Sequence, residues 1–336
     1  MNGERNLVSI KDIAKKAGVS ISTVSYALNN SPKVTKETAD RIKAIAKELN
    51  YVPYAAARSL KMRETKIIGV FLNNYSGVFY GELLQGISET LSHHGYDLIV
   101  CSGERSHRFI PERRIDGAIV LDATFSSDEL MNYAALGHKI VVLDRELEHE
   151  NIAKVLLDNK AGATLAIDYL IEKGHRNIYL LTGPDISYDS KQRKDAVYQA
   201  IDHYSKNNME INVIEIEGNF TKHSGEKAAV KIVKEFEFDQ PVAVFCLNDE
   251  MAIGVYDYLA DTDLRVGKDI HIIGFDNIEL ARYVQPRLTT IDYSKRKWGA
   301  LAAEQLLKLI QNDNEQQLES KKIYVTMVNG KSVTSI

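Results

Sequence analysis

Residues 9 to 29 read SIKDIAKKAGVSISTVSYALN, and the spacing of their apolar side chains predicts two short helices meeting at a tight corner. Ser9 followed three residues later by Asp12 has the form of a capping box, after which Ile10, Ile13, Ala14 and Ala17 recur at helical spacing. Gly18 supplies the left-handed turn, Val19 plugs the corner, and Ser20 caps a second helix that runs to Leu28. Outward from the corner, Thr35 opens a third helix whose apolar stripe is Ala39, Ile42, Ile45, Ala46 and Leu49. This is the helix-turn-helix plan, in which the N-terminal half of the second helix enters a DNA major groove. On that plan Ile21, Ser22, Ser25 and Tyr26 face outward, while Thr23, Val24, Ala27 and Leu28 include the positions that hold the helix to its neighbours.

Charge separates this head from the rest of the chain. Through Lys66 there are 13 Lys and Arg against 6 Asp and Glu, a net charge of +7, which leaves −11 for the remainder of a chain whose total is −4. A basic head on an acidic body fits a polyanion-binding tip, since phosphate contacts supply most nonspecific affinity for DNA; charge alone equally allows a solvated basic face. With 336 residues the chain exceeds one hydrophobic core, and 44% apolar with 26% charged residues is ordinary globular composition. Cys101 and Cys246 lie far apart in apolar runs without metal-ligand spacing, so neither a disulfide framework nor a zinc site is expected. The charged start MNGERNLVSIKDIAKKAG and the lack of any 18-residue apolar run lead to the expectation of a cytoplasmic location.

Beyond Lys66 short apolar runs alternate with helical stretches: KIIGVFL, DLIVCS, GAIVLD, KIVVLD, NIYLLTG, NVIEIEG, AVFCLND and IHIIGFD. Continuous Val/Ile/Leu strands separated by amphipathic helices predict parallel sheets covered on both faces, an α/β body. Ligands of open α/β sheets sit beyond the carboxyl ends of strands, which here carry Asn73 and Asn74, Asp144 and Arg145, Asn248 and Asp249, and Asp276 with Asn277. Carboxylates and amides of this kind span neighbouring sugar hydroxyls, and Phe79, Tyr80 and Phe220 are aromatic candidates to cover a pyranose face. For Asn248 and Asp249 the competing reading is a helix N-cap. No Walker loop, G-x-S-x-G elbow or H-E-x-x-H occurs, GPDISYD lacks dinucleotide-type glycine spacing, and His93 and His94 sit near the end of a polar helix, so no enzyme and no cofactor is expected.

AGVSISTVSYALN followed by ELNYVPYAAARSL resembles the DNA-binding head and hinge of the lactose-repressor (LacI/GalR) family of bacterial transcriptional regulators. The likeness continues through NNYSGVFYGELLQGI, RRIDGAIVLD, EKGHRNIYLLTGP, SKQRKDAVYQA, CLNDEMAIGVYDYL, IIGFDNIELARYVQPRLTTID and GALAAEQLLKLI. It implies an all-α head over residues 1–54, a hinge helix and linker over 55–65, and two doubly wound, periplasmic-binding-protein-like subdomains. The expected ranges are 66–160 with 290–320 for the first, and 161–289 with 321–336 for the second. By position it assigns DNA contacts to Asn29, Tyr51 and Arg58, with Leu60 as a minor-groove wedge, beside Ser9, Ile21, Ser22, Thr23, Ser25 and Tyr26 expected of the helix-turn-helix. It assigns effector contacts to Phe79, Tyr80, Asp144, Arg193, Phe220, Asn248 and Asp276, to which the strand-end reading adds Asn73. The implied protein is a homodimeric repressor of carbohydrate genes that binds a near-palindromic operator and a sugar effector; a regulator answering to phosphorylated HPr remains the open alternative. A sugar-binding transport protein would share the body but not the head.

Two departures from the family stand out. Where relatives commonly read TVSR, this chain has Thr23-Val24-Ser25-Tyr26, and a tyrosine lacks the guanidinium fork that grips guanine. Between DLIVCS and DGAIVLD only Gly103 to Ile115 remains, interrupted by Pro111, so the usual crossover helix is expected to be shortened or missing, leaving His107, Arg108 and Phe109 as a surface particular to this protein.

Overall fold

The computed structural model describes residues 8–52, 64–75, 78–235, 240–311 and 319–336. The chain divides into two compact units, Met1–Thr65 and Lys66–Ile336. The expected hinge helix, with Arg58 and Leu60, lies outside the described residues.

Three helices form the head: α1 (Ile10–Ala17), α2 (Ile21–Leu28) and α3 (Lys36–Glu48). Asp12 accepts hydrogen bonds from the Ser9 backbone N–H at 2.8 Å and from its hydroxyl at 2.7 Å, which hold its carboxyl below the ordinary value. Gly18 closes α1 at φ +68°, a conformation that costs a side-chain-bearing residue Cβ strain. Ser20 then caps α2 by accepting from Thr23 N at 3.1 Å. Ile13, Val24, Ala27 and Ile42 fill the small core between the helices.

The body contains two six-stranded sheets. The first has the order β11-β5-β4-β3-β1-β2, from β1 (Ile67–Leu72), β2 (Asp97–Ser102), β3 (Gly117–Leu121), β4 (Ile140–Val142), β5 (Ile152–Leu157) and β11 (Lys321–Ile323). The second has the order β12-β10-β9-β8-β6-β7, from β6 (Asn177–Leu181), β7 (Asn212–Ile216), β8 (Val242–Cys246), β9 (Ile270–Phe275), β10 (Thr289–Asp292) and β12 (Thr326–Val328). The strands pair in parallel apart from β12, which runs antiparallel to β10. The helices of the first lobe are α4 (Tyr80–His93), α5 (Ser127–Ala135) and α10 (Lys295–Ile310). The second lobe carries α6 (Asn159–Glu172), α7 (Tyr188–Lys206), α8 (Lys222–Glu235) and α9 (Asp249–Ala260). Among the described residues no helix is long and apolar enough to cross a membrane.

The chain passes between the lobes three times, after β5, after β10 and after β11. Strand pairing therefore corrects two expected boundaries: Thr289–Asp292 belongs wholly to the second sheet, and Lys321–Ile323 to the first. Both strands are only three or four residues long and sit at crossovers without turn punctuation, so their partners are set by tertiary pairing.

The missing crossover helix is replaced by a 3-10 turn over Glu104–Phe109, but the expected local surface needs correction. His107 is buried, its ring stacked on Phe125 at a centroid distance of 3.4 Å, with Nδ1 3.3 Å from Glu129 Oε1. With no helix to cover that flank of the sheet, an imidazole fills the space beside Phe71, Phe125 and Ile110; Arg108 alone of the three is exposed, and Phe109 is half-buried beneath Arg114. Cys101 and Cys246 are buried free thiols, as small apolar residues would be.

Candidate ligand cleft and nucleic-acid interface

The strand ends of the second lobe converge on Arg193. Its helix α7 is capped by Ser187, which accepts from Ser190 N at 3.3 Å, so that Arg193 lies in the second turn of the helix. The guanidinium is 4% exposed and already engaged: Nε donates to Asn159 Oδ1 at 2.8 Å, Nη1 to the Leu247 carbonyl at 2.5 Å, and Nη2 lies 3.7 Å from Asp276 Oδ1. The same group stacks over the Phe275 ring, 3.7 Å from its centroid.

Asp276 occupies the end of β9 at φ +111°, a conformation rare for a residue with a side chain. Tyr293 donates to its Oδ1 at 2.8 Å, and the Lys295 ammonium donates to its carbonyl oxygen. Burial raises the Asp276 pKa, an effect opposed by Arg193 and Lys295. Behind it, buried Asp249 ties the strand ends together by accepting from Ile278 N at 2.9 Å and Thr290 Oγ1 at 2.5 Å. A Cβ on Gly274 would come within 2.1 Å of this carboxylate, so the close approach requires glycine there.

Asn248 caps α9 by accepting from Met251 N at 3.0 Å, and its amide also donates to the Phe220 carbonyl at 2.9 Å. Cap and loop support are thus one residue. Phe220 has φ +63°, and its half-buried ring lies over Gly183, where a Cβ would stand 2.2 Å from the ring.

From the first lobe, Asn73 accepts from Ala123 N at 2.8 Å, joining the ends of β1 and β3, while its side chain also bonds Tyr80. Burial pushes the Tyr80 phenol up to about 12, reinforced by the charges of Asp122, Glu250 and Asp189. Phe79 packs edge-on to Tyr80 at 5.2 Å. Asp144 is held in a two-pronged pair with its neighbour Arg145, both contacts at 2.8 Å. Arg145 is further anchored on the carbonyls of Phe125 and Asp122.

Sequence reading missed Asp189, Asn159 and Glu250. Asp189 Oδ1 accepts from Asn159 Nδ2 at 2.6 Å, and burial lifts its pKa to about 6 against the attraction of Arg193, with Asp144 across the cleft raising it further. Burial also raises Glu250, which accepts from the Val78 backbone N–H of the opposite lobe. Tyr188 bridges the lobes as well, donating to Glu146 at 3.1 Å. The one legible signal for Asp189 was its acid-to-arginine spacing of four on a helix; Asn159 follows a strand whose apolar pattern Lys154 interrupts.

In the head, Ile21 is 46% exposed and Ser22 is exposed at the start of α2, whereas Ser25 and Tyr26 are half-buried. The Thr23 hydroxyl lies 2.9 Å from that of Ser20, and the Lys33 ammonium stands 5.1 Å over the Tyr26 ring. Ser9 caps α1, and Asn29 caps the end of α2, donating to the Ser25 carbonyl at 2.7 Å. Tyr51 packs partly buried against the head core.

Residues 9–54 match the family model described as bacterial regulatory proteins, lacI family, and residues 167–333 match that of a periplasmic binding protein-like domain. An HTH-type transcriptional repressor PurR from Vibrio atlanticus (strain LGP32) is 35% identical over 320 residues, covering 93% of this chain and 94% of the relative. Among solved structures, a sugar-binding transcriptional regulator (LacI family) from Enterococcus faecalis is 49% identical with a TM-score of 0.75, covering 81% of this chain and 99% of its own. A LacI family transcriptional regulator from Enterococcus faecium with bound ribose is 27% identical with a TM-score of 0.72, covering 80% and 99%. Likeness of this extent runs through the basic three-helix tip and both lobes alike, and the chain belongs to the LacI family of bacterial regulatory proteins, DNA-binding repressors that carry a ligand-binding domain.

Proposed function

We propose that this repressor governs carbohydrate-utilisation genes and that its effector is a neutral sugar held between the two lobes. The observation that carries this reading is the charge of the cleft. Asp276, Asp189 and Glu250 from the second lobe stand with Asp144 from the first, while Arg193 and Arg145 are already committed to protein acceptors. Hydroxyl groups donate well into such carboxylates, and Phe79 and Phe220 offer apolar faces for a ring. With Asp276 and Asp144 paired to those arginines, Asp189 and Glu250 leave an excess negative charge that a uronate or sugar phosphate would meet. The bound ribose and the sugar-binding description of the two structural neighbours agree with a neutral sugar.

Two heads of a homodimer would read half-sites about one DNA turn apart, presenting Ser9, Ile21, Ser22, Thr23, Ser25, Tyr26, Asn29 and Tyr51 toward the duplex. Tyr26 would contact a thymine methyl where arginine-bearing relatives grip guanine. Effector in the cleft would change DNA affinity through the angle between the lobes, with a coupling of about 1 to 3 kcal/mol.

The test is a thermal-shift screen of the full chain against ribose, glucose, galactose and cellobiose, with galacturonate, glucose 6-phosphate and hypoxanthine as competing classes. Stabilisation by at least one neutral sugar, and a change in operator affinity caused by the same compound, is the expected result. Stabilisation by the acids, the phosphate or the base alone overturns the reading.

A further inference from the structure

Asp276, at the end of β9, and the crossover after β10 lie side by side. Here they touch through side chains. Tyr293, in the crossover after β10, donates to Asp276 Oδ1 at 2.8 Å, and Lys295, two residues on, bonds the Asp276 carbonyl while standing 4.7 Å over the Tyr293 ring. The Tyr293 ring packs edge-on to Trp298 at 5.9 Å. Trp298 is wholly buried, and its indole N–H donates at 2.7 Å to the carbonyl of Val155 in β5, the strand that leads into the first crossover. Its other neighbour is Phe79, edge-on at 6.5 Å, at the start of α4 in the first lobe.

We propose that Tyr293 and Trp298 are positioning residues that carry the state of Asp276 to two of the three lobe crossovers and to Phe79, and so set the angle between the lobes. Three observations support the assignment. Each link is a direct contact between buried or half-buried groups. Asp276 sits in a strained backbone conformation that persists only where its surroundings over-determine it, and Tyr293 with Lys295 supplies that restraint. Finally, both ends of the route face the cleft, Asp276 from one lobe and Phe79 from the other, so a ligand touching either pulls on the same tryptophan. Coupling of this kind requires a packed element with two arrangements that both ends bias, and a crossover between two lobes is such an element.

The chain contains one tryptophan, which makes its emission a reporter of this position alone. The experiment compares the full-length protein with Asp276→Asn, Tyr293→Phe and the double variant, reading Trp298 emission and affinity for a duplex selected from a random pool. No small molecule is present, so an error in the effector class leaves the test intact. Asp276→Asn removes the charge that Tyr293 grips; it is expected to shift the emission and to change operator affinity about three-fold or more, in the range found for residues in contact. On top of Tyr293→Phe, both effects should all but vanish. Arg193→Gln, which loads the same route from the far side of Asp276, gives a second cycle if Asp276→Asn fails to fold. Equal shifts and equal fold-changes in both backgrounds, or no response to either perturbation, overturn the proposal.

Discussion

The two lobes face one cleft with different economies of polar contact. In the second lobe the groups at the strand ends are buried and tied to one another, as Arg193 is to Asn159, Leu247 and Asp276, or Asn248 to Met251 and Phe220. In the first lobe Asn73 is exposed, and Asp144 is paired with the residue beside it in sequence. The difference teaches which lobe is preorganised. Groups fixed before binding lose little freedom when the ligand arrives, so the second lobe should set affinity and the first should close over it.

The largest expected effect is that of Arg193→Ala. It takes the guanidinium from Asp276, and the donor from the Asn159 amide oxygen and the Leu247 carbonyl, in a buried place, a loss of about 3 to 5 kcal/mol for a broken buried pair. Effector affinity measured by calorimetry should fall more than about a hundred-fold, against a change of only a few-fold in operator affinity. If Asp144→Asn in the first lobe costs as much, the contrast between the lobes is broken.

Next comes a pH dependence carried by Asp189. Its pKa stands at about 6 in the fold against an ordinary 3.8, because burial disfavours the charge. Between those values the folded protein holds a proton that the unfolded chain has released, so this group's ionisation costs stability as pH rises through about 6. A ligand hydroxyl donating to the carboxylate favours the ionised form, and binding then expels a proton. Effector affinity should therefore rise with pH up to a plateau above about 6, with a limiting slope of about ten-fold per unit below it. Asp189→Asn should flatten that profile; a slope unchanged by this substitution would place the titrating group elsewhere.

Gly183→Ala sharpens the comparison on the aromatic side. The added Cβ would meet the Phe220 ring at 2.2 Å and displace it, at a cost typical of overpacking, about 1 to 3 kcal/mol. About a ten-fold loss of effector affinity is expected. Since Phe220 touches the Asn248 cap through its backbone, a melting temperature lowered together with affinity would show that the ring and the cap act as one unit.

Much of this arrangement was legible in the chain because it rests on local chemistry. The corner at Gly18, the caps Ser20 and Thr35, and the apolar runs of eight strands follow from residue type and spacing. Arg193 and Asp276, placed by resemblance, come together at 3.7 Å. What escaped depends on partners distant in sequence. Lys154 hides β5 by interrupting its apolar run, and β10, β11 and β12 are too short to carry a period. Asp189 and Asn159 become neighbours only when α6 and α7 pack together. His107 reads as a surface residue in the charged stretch ERSHRF, yet the absence of a covering helix draws it into the core.

The smallest effect is expected from Asn73→Ala in the first lobe. Its amide oxygen accepts from Ala123 N at 2.8 Å and links two strand ends, but the residue is exposed and water can replace the bond. A hydrogen bond from this exposed amide to a ligand hydroxyl would contribute about 0.5 to 1.5 kcal/mol, so effector affinity should drop about two- to ten-fold with little change in melting temperature. The partition of that loss between rates carries the argument further than its size. If the first lobe closes over a ligand already seated on the second, the substitution should speed dissociation and leave association unchanged in a stopped-flow measurement. A slowed association instead would mean that Asn73 helps to form the encounter, and the two lobes would then share the first contact.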